Sequence, residues 1–488
     1  MQNFRKHFTK IAGFFLILVA VAILNMTLAI ALLVLLALSG ITVFLLIRFR
    51  LFSRQTALLL FAVTLVYLGA TLAIHYANFY PFGGGEGDQR FYHRAAVSIS
   101  EDFRQGNFSL SSIEKHLEDE TVTHYYPVAI GALYVLTVPD ELVGKMVNVW
   151  LAGIISLLVY LLALEIGAAK KWAFWSALAV GIYPSLLYWG SMLLRESMVG
   201  ALVLFCLLQT IKMIKQFTWQ RFVFFYVALA IMMNLRFYIG LVVLFVFIFS
   251  WVLLLSMSWK KKLLYGVIVI PLLGFLPLAA GTQHGYYGLH DVAYFLNKQR
   301  IVEYRVVSGV YQSEGSIVSA EDARSPLPYP ETAPAPFEKL LDKSLFAPQI
   351  PKQAEPGLLL VPGSLFTKET LSQNPVTFAK NLVRSFVYVA LGPFPWDIHY
   401  VRQIFVLGET IPWLIAFFFI MKALIRLRFQ WRVMLPIIFV ALGIFAEIAL
   451  LINAYGISMR IRIPAFLLLL ALLPLAFPEK ETAEVKIT

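Results

Sequence analysis

Residues 11–47 have the sequence IAGFFLILVAVAILNMTLAIALLVLLALSGITVFLLI, which is 37 consecutive uncharged positions. As one helix this stretch would be about 55 Å long, whereas the hydrocarbon core of a bilayer is about 30 Å thick. The stretch therefore predicts two membrane-spanning helices, with the expected turn at Asn25-Met26-Thr27. Because no small-residue cleavage site follows a short apolar core, we interpret this hairpin as structure and not as a cleaved signal peptide.

The composition of the whole chain also indicates a membrane protein. Of the 488 residues, 60% are hydrophobic and only 14% are charged, which leaves too little polar surface to cover a water-soluble globule. The single cysteine, Cys206, has no partner for an intrachain disulfide. The net charge of +12 lies in short clusters between apolar runs, so it does not indicate nucleic-acid binding.

The positive clusters predict which side of the membrane each loop occupies. Six short segments together contain 18 Lys or Arg residues and no Asp or Glu, which is the pattern of cytoplasmic loops. These segments are 1–10, 48–54, 168–171, 212–221, 260–262 and 422–432. In contrast, residues 77–145 contain ten acidic and five basic side chains and are predicted to be extracytoplasmic. Both termini are then expected in the cytoplasm, in a multi-pass protein of the cell (inner) membrane.

The apolar runs predict an all-α polytopic membrane protein with about twelve transmembrane helices. After the N-terminal hairpin, the predicted spans are 56–76, 147–166, 173–190, 197–211, 222–235, 238–257, 263–281, 404–422, 433–453 and 463–478. The resulting segments are an N-terminal transmembrane hairpin (1–55), a transmembrane core (56–281) with a first external loop (77–146), a long extracytoplasmic loop (282–403), and C-terminal helices with a short cytoplasmic tail (404–488). The long loop is rich in proline between Ser325 and Pro362, so most of it is predicted to be irregular.

The most informative polar stretch is GGGEGDQRFYH, residues 83–93, which directly follows a predicted span. Glycines allow a ligand to approach the backbone closely, and a carboxylate at the mouth of a helix bundle can accept a proton from an attacking hydroxyl. Asp88 is the best candidate for this role, and Glu86 is the other acid of the stretch. The structural alternative is that Asp88 only caps the helix that follows.

Four arginines are predicted on the outer side of the membrane, where the positive-inside rule disfavours them. They are Arg195, Arg236, Arg460 and Arg462. A guanidinium binds phosphate oxygens bidentately, so a ligand phosphate would explain their position. The alternatives are an ion pair of Arg195 with Glu196 or Glu447, and snorkelling of the other arginines to lipid headgroups.

Five aromatic or histidine side chains near the outer side are candidates for contact with a sugar or an acceptor. They are Tyr92, His93, His124, Tyr125 and Tyr126. The alternative is the aromatic belt that membrane proteins place at the lipid–water interface. Glu409 and Glu447 lie within predicted apolar spans. An acid at such a position serves either in a proton relay or as the partner of a nearby arginine.

Several short motifs occur in an order that resembles the GT-C superfamily of membrane glycosyltransferases. The motifs are Asp88-x-x-x-Tyr92-x-x-Ala95, Tyr125-Tyr126-Pro127, the segment 145–160, Tyr183-Pro184-Ser185 with Arg195-Glu196, and Arg460-Ile461-Arg462-Ile463-Pro464. The chain is similar in this respect to the dolichyl-phosphate-mannose protein mannosyltransferases and their bacterial relatives. Such members usually carry an Asp-Glu pair in the first loop, whereas here Gln89 follows Asp88 and Glu86 precedes it.

The resemblance implies a GT-C-like helix bundle that moves a sugar from a polyprenyl-phosphate-linked donor to an extracytoplasmic acceptor. The acceptor class, whether glycan, lipid or protein, stays open. The resemblance also implies that Asp88 or Glu86 is catalytic and that the outward arginines bind the donor phosphate. No metal-binding spacing of Cys or His is present in the sequence, so no cofactor is predicted, although a divalent cation remains compatible with it.

Two other functions fit parts of the pattern. An O-antigen-type polymerase or ligase has a similar number of helices and a long external loop, and it would not need Asp88. A lipid or polysaccharide transporter is disfavoured because the chain shows neither repeated halves nor matching broken spans. A purely structural subunit would leave the outward arginines unexplained.

The predicted topology can be tested by labelling single cysteines with a membrane-impermeant thiol reagent in a Cys206→Ser background. Cysteines at Ser109 and Ser319 should react from outside the cell, whereas one at Ser53 should not, because Ser53 lies in a purely basic inner segment. Labelling of a cysteine at position 53 from outside would show that the orientation is the opposite of the predicted one.

Overall fold

The computed structural model describes residues 23–77, 84–120, 122, 124–273, 375–397, 401–426, 431–452 and 455–477. Over these ranges the chain is helical and contains no β-strand, which confirms the all-α prediction. Seven of the helices are long and apolar enough to cross a membrane, so the chain is a membrane protein. The predicted total of about twelve spans is not reached within these ranges. Part of that prediction, including the first helix of the N-terminal hairpin, lies outside them.

The helices are named in chain order. They are α1 (Met26–Arg48), α2 (Arg54–Ala77), α3 (Gly84–Arg104), α4 (Leu110–Asp119), α5 (Tyr126–Leu136), α6 (Glu141–Glu165), α7 (Lys170–Gly181), α8 (Pro184–Gly190), α9 (Glu196–Lys215), α10 (Trp219–Leu235), α11 (Phe237–Phe249, continued by a π-helical turn Ser250–Leu254), α12 (Trp259–Leu272), α13 (Pro375–Leu391), α14 (Val401–Arg426), α15 (Trp431–Leu451), α16 (Tyr455–Ile461) and α17 (Ile463–Leu472, continued by a 3-10 turn Leu473–Ala476).

Several boundaries follow from local chemistry. Helix α1 begins at the turn predicted from the sequence, where the Asn25 side chain accepts a hydrogen bond from the Leu28 backbone at 2.9 Å. The predicted span 173–190 is divided into α7 and α8, and Pro184 starts the second helix because its missing N–H is not needed in a first turn. The predicted spans 222–235 and 463–478 correspond to shorter apolar helices, below the length of the seven spanning ones.

The long predicted loop also contains regular structure. Helix α13 lies within residues 282–403 and packs against α15, with Val389 and Ala390 buried and the Phe386 ring edge-on to Phe445 at 6.1 Å between centroids. Apolar side chains spaced three and four residues apart give this segment one buried face. The irregular structure that we predicted for this region therefore does not apply to Pro375–Leu391, and residues 274–374 lie outside the described part of the chain.

Helices α6 and α9 form the centre of the bundle. Within their apolar windows 72% and 78% of the residues are buried, against 28% for α1, so α1 lies at the edge of the described bundle. Helix α6 packs against α1, α2, α7 and α9. Small residues permit close approach, since a Cβ added at Gly181 would overlap the Val63 side chain.

A buried ion pair joins four segments near the start of α17. Arg462 is 1% exposed and donates to the backbone oxygens of Val389 at 2.9 Å and Gly392 at 2.6 Å, and to Glu409 at 3.2 Å. Glu409 in α14 also accepts a 3.0 Å hydrogen bond from the backbone N–H of Ser185 in α8. The Arg462–Glu409 pair therefore links α8, α13, α14 and the α16–α17 turn.

Removing Arg462 should destabilise the fold. Arg462→Ala is expected to cost about 3–5 kcal/mol because it leaves Glu409 as an unpaired buried charge. The measurement is thermal unfolding of the detergent-purified protein, with Arg432→Ala at an exposed arginine as the matched control. Adding Glu409→Gln to Arg462→Ala should recover much of the lost stability. Equal losses of stability in Arg462→Ala and Arg432→Ala would contradict a structural role for the pair.

Candidate functional site

Helix α3 brings Asp88 to the mouth of the bundle. The helix starts within the glycine-rich stretch and packs along α5. The Asp88 side chain is 40% exposed, and its carboxylate accepts a hydrogen bond from the Arg460 guanidinium, although the two residues lie 372 positions apart. This contact joins the first predicted external loop to the short helix α16, which precedes the last helix.

A second carboxylate holds two of the predicted arginines together. Glu196 Oε1 accepts a hydrogen bond from Arg460 Nε at 2.6 Å and another from Arg236. Glu196 and Arg236 are only 3% and 4% exposed. An acid in the first turn of α9 is also favoured by the helix dipole. The Arg460 guanidinium further lies over the Trp189 ring at 5.8 Å from its centroid.

Arg195 supplies the third guanidinium. Its Nη1 donates to the backbone oxygen of Leu235 at 2.7 Å, and its buried Nε has no hydrogen-bond partner among the described residues. We call Asp88, Arg195, Glu196, Arg236 and Arg460 the charge cluster. Three guanidinium groups face two carboxylates, so the cluster carries one positive charge in excess.

Asn148 positions the segment that carries Arg195 and Glu196. Its amide nitrogen donates to the backbone oxygens of Met192 at 2.5 Å and Leu194 at 2.7 Å. Its amide oxygen accepts a 3.2 Å hydrogen bond from the Tyr126 hydroxyl. Because Asn148 is fully buried in α6, this clamp fixes the turn between α8 and α9 against the centre of the bundle.

His124 and Tyr92 form the uncharged side of the site. Their rings meet edge to face with centroids 4.6 Å apart, and His124 is 3% exposed. His124 Nδ1 accepts a hydrogen bond from the Tyr126 backbone N–H at 3.3 Å, which places the ring hydrogen on Nε2. Burial, aided by the positive charge of Arg195, lowers the pKa of His124 to about 2. The ring therefore presents a neutral, buried Nε2–H that has no partner in the described ranges.

Other residues predicted for the site bond elsewhere. His93 Nδ1 lies 2.9 Å from the Tyr134 hydroxyl, and burial lowers the pKa of His93. The Tyr125 hydroxyl donates to Glu114 at 3.2 Å. Arg462 belongs to the pair with Glu409 and not to the charge cluster. The Glu86 side chain lies outside the described residues, so its predicted role stays a prediction.

The partner of Arg195 differs from the expected one. The sequence suggested an ion pair with Glu196 or Glu447, whereas Glu196 pairs with Arg236 and Arg460. Glu447 Oε2 is buried, with no hydrogen-bond partner in the part of the chain that the structure describes. The sequence signal that could have identified Glu196 is its position as an acid at the start of an apolar helix, where it requires a counter-charge.

The chain has no match among protein-family models, curated proteins or solved structures. Within the described ranges, no group of three or more His, Cys, Asp and Glu side chains could hold a metal ion. The function is therefore inferred from the charge cluster itself.

The buried neutral state of His124 should appear in the pH dependence of stability. Its folded-state pKa lies below the ordinary value of about 6.5, so the unfolded chain binds a proton that the folded chain excludes. This contribution to stability is fully present above about pH 6.5 and is lost as the pH falls. The melting temperature of the wild-type protein should therefore fall more between about pH 7 and about pH 5 than that of His124→Gln.

The control for this comparison is His116→Gln, which changes a partly exposed histidine that contacts Asp102 away from the charge cluster. Melting curves recorded by intrinsic fluorescence in one detergent are sufficient. Parallel declines in the wild-type protein and His124→Gln would show that His124 titrates normally.

Proposed function

We propose that the protein is a GT-C-type glycosyltransferase that moves a sugar from a polyprenyl-phosphate-linked donor to an extracytoplasmic acceptor. One observation carries the proposal. Asp88, Arg195, Arg236 and Arg460, which the sequence singled out separately, converge with Glu196 in one cluster at the ends of their helices.

The cluster suits the phosphate of such a donor. Its excess guanidinium charge lies in a largely dehydrated site, where a charge-assisted bond to phosphate is strong. Arg195 Nε, which has no hydrogen-bond partner among the described residues, is an additional donor at this site. Because Glu196 already bridges Arg236 and Arg460, it holds their guanidinium groups side by side before any ligand arrives. The same charges would stabilise the polyprenyl phosphate as it departs.

Asp88 is the proposed general base. In the transfer step the acceptor hydroxyl loses its proton to the Asp88 carboxylate while its oxygen attacks the anomeric carbon of the donor. The bond between that carbon and the phosphate oxygen breaks, with inversion, and the polyprenyl phosphate leaves with the bonding electron pair. Asp88 is suited to this role because it is the half-exposed carboxylate of the cluster, whereas Glu196 is buried between two guanidinium groups.

The contact between Asp88 and Arg460 orders these events. A donor phosphate and Asp88 compete for the same guanidinium, so donor binding would release the carboxylate to receive the acceptor proton. In this proposal the neutral Nε2–H of His124, buried without a partner among the described residues, donates a hydrogen bond to a sugar hydroxyl or a phosphate oxygen.

Asp88→Asn and Arg460→Ala should separate catalysis from binding. Asp88→Asn is expected to lower sugar transfer by about a hundredfold or more, the usual scale for a general base. The same variant should bind the polyprenyl-phosphate donor at least as tightly as the wild-type protein, because it removes a competing negative charge. Arg460→Ala should weaken donor binding more than tenfold, about 1.4 kcal/mol, and Arg460→Lys should recover only part. The measurements are donor binding and single-turnover transfer in detergent.

Two control variants sharpen this experiment. Asp102→Asn removes a carboxylate from the same helix α3, outside the cluster, and should leave transfer unchanged. Glu86→Gln tests the other acid of the glycine-rich stretch. Loss of sugar transfer in that variant alone would assign the general base to Glu86 and not to Asp88. Full activity in both Asp88→Asn and Glu86→Gln would remove the carboxylate mechanism and favour the O-antigen-type polymerase or ligase.

A second candidate, a proton-coupled transporter of lipid or polysaccharide, is favoured by Glu447. This carboxyl group lies within the spanning helix α15, and its buried Oε2 has no hydrogen-bond partner in the described ranges. Intramembrane acids without a counter-charge are typical of proton pathways. Glu447→Gln distinguishes the two functions, because it should abolish coupled transport but leave glycosyl transfer intact.

A further inference from the structure

An apolar groove lies on the side of α9 opposite the charge cluster. It is formed by α1, α6 and α9 and has a volume of about 360 Å³. Met198, Ala201 and Phe205 line it from α9. At about 100° per residue, Met198 is rotated about 200° from Glu196 around the helix, so the groove and the charge cluster occupy opposite faces. The groove is therefore separate from the proposed transfer site.

The polar side-chain groups that line the groove already form hydrogen bonds within the protein. Thr42 and Trp150 are the lining residues with side-chain nitrogen or oxygen atoms. The Trp150 ring N–H donates to the Thr42 hydroxyl at 2.8 Å, and that hydroxyl donates to the Leu38 backbone oxygen at 3.0 Å. An extended peptide in this groove would lose hydrogen bonds of its backbone without replacement, whereas a hydrocarbon chain has none to lose.

The dimensions fit a single lipid chain. Along α6 the groove extends from Trp150 to Leu161, a rise of about 17 Å, which is about half of the hydrocarbon thickness and so the depth of one leaflet. The groove therefore has the length of one acyl chain within a single leaflet.

One end of the groove meets a cluster of positive charge. Phe49 and Leu51 line that end, and Arg48, Arg50 and Arg54 are exposed beside them in the chain. Arg50 has a φ of 57°, so the backbone turns sharply directly after α1. Among the described residues, no carboxylate forms an ion pair with these arginines. A negatively charged headgroup at this depth would complement them.

We propose that the groove binds an anionic phospholipid from the leaflet on the side of Arg48. One acyl chain lies along α6 between α1 and α9, and the lipid phosphate contacts the arginines that follow α1. The lipid fills the space between an outer helix, α1, and the two central helices, and this site does not depend on the proposed transfer reaction.

The chain part of the proposal can be tested by photo-crosslinking. Phosphatidylglycerol with a diazirine in one acyl chain is incorporated into phosphatidylcholine nanodiscs with the full-length protein, and adducts are mapped by peptide mass spectrometry. Adducts are expected within residues 42–51 and 150–161. Leu45→Trp, which fills the groove, should reduce them at least fivefold. Leu36→Trp is the matched control on α1, because Leu36 is 43% exposed and Leu45 is 44% exposed but only Leu45 lines the groove.

Several results of this labelling experiment would overturn the proposal. Adducts that resist both Leu45→Trp and a second filling variant, Ala201→Leu, would place the lipid elsewhere. Equal losses of adducts in Leu36→Trp and Leu45→Trp would also place the lipid outside the groove. Absence of adducts in the groove, with labelling of residues 1–22 instead, would show that the N-terminal segment covers it.

The headgroup part is tested by competition. Unlabelled phosphatidylglycerol should suppress the adducts at least threefold more effectively than phosphatidylcholine. This preference should disappear in Arg48→Gln/Arg54→Gln and persist in Lys260→Gln/Lys261→Gln, which removes two exposed positive charges from another predicted inner loop. Equal competition by the two lipids in the wild-type protein would refute recognition of an anionic headgroup. Suppression by inorganic phosphate alone would assign the arginines to a free anion.

Discussion

The carboxylate of Glu196 between two guanidinium groups is the interaction on which the charge cluster depends. An unpaired charge in so dry an environment costs several kcal/mol, so neither Arg236 nor Arg460 can remain there alone. Their shared contact brings the junction of α10 and α11 and the short helix α16 to the start of α9. The remaining features of the site are arranged around this fixed group of charges.

The two carboxylates of the charge cluster differ in their exposure to solvent. Glu196 is almost fully buried, and its loss would leave Arg236 without a counter-charge. Asp88 is half exposed and contacts Arg460 from the rim, so it can be displaced without exposing a buried charge. Burial is the property that separates the two acids of the cluster.

The sequence predicted the helical class, because apolar length is a local property of the chain. It singled out Arg195, Arg236 and Arg460 by their charge, but not the shared carboxylate of the last two or their separation from Arg462. The cap at Asn25 was predictable for the same reason. The partners of Glu196 were not, since they come from segments 40 and 264 positions away and depend on tertiary packing. Arg460 and Arg462 looked equivalent in the sequence.

In the structure these two arginines have different neighbours, because two residues along a helical path rotate a side chain by about 200°. The break before Pro184 and the helix Pro375–Leu391 were missed for related reasons. A continuous apolar run conceals a break within it, and proline-rich surroundings conceal a short amphipathic helix.

The anchoring of Arg462 has a kinetic consequence for Arg460. The backbone of the turn that follows Arg460 is held by the bonds of Arg462 to α13 and α14, while the hydrogen bonds of the Arg460 side chain within the described residues go to the side chains of Glu196 and Asp88. An exchange of partners at Arg460 therefore requires rotation about side-chain bonds and no displacement of a helix. Side-chain rotations are faster than the microsecond-to-millisecond motions of packed helices. Occupation of the site would then be limited by the lateral arrival of a ligand and not by opening of the bundle.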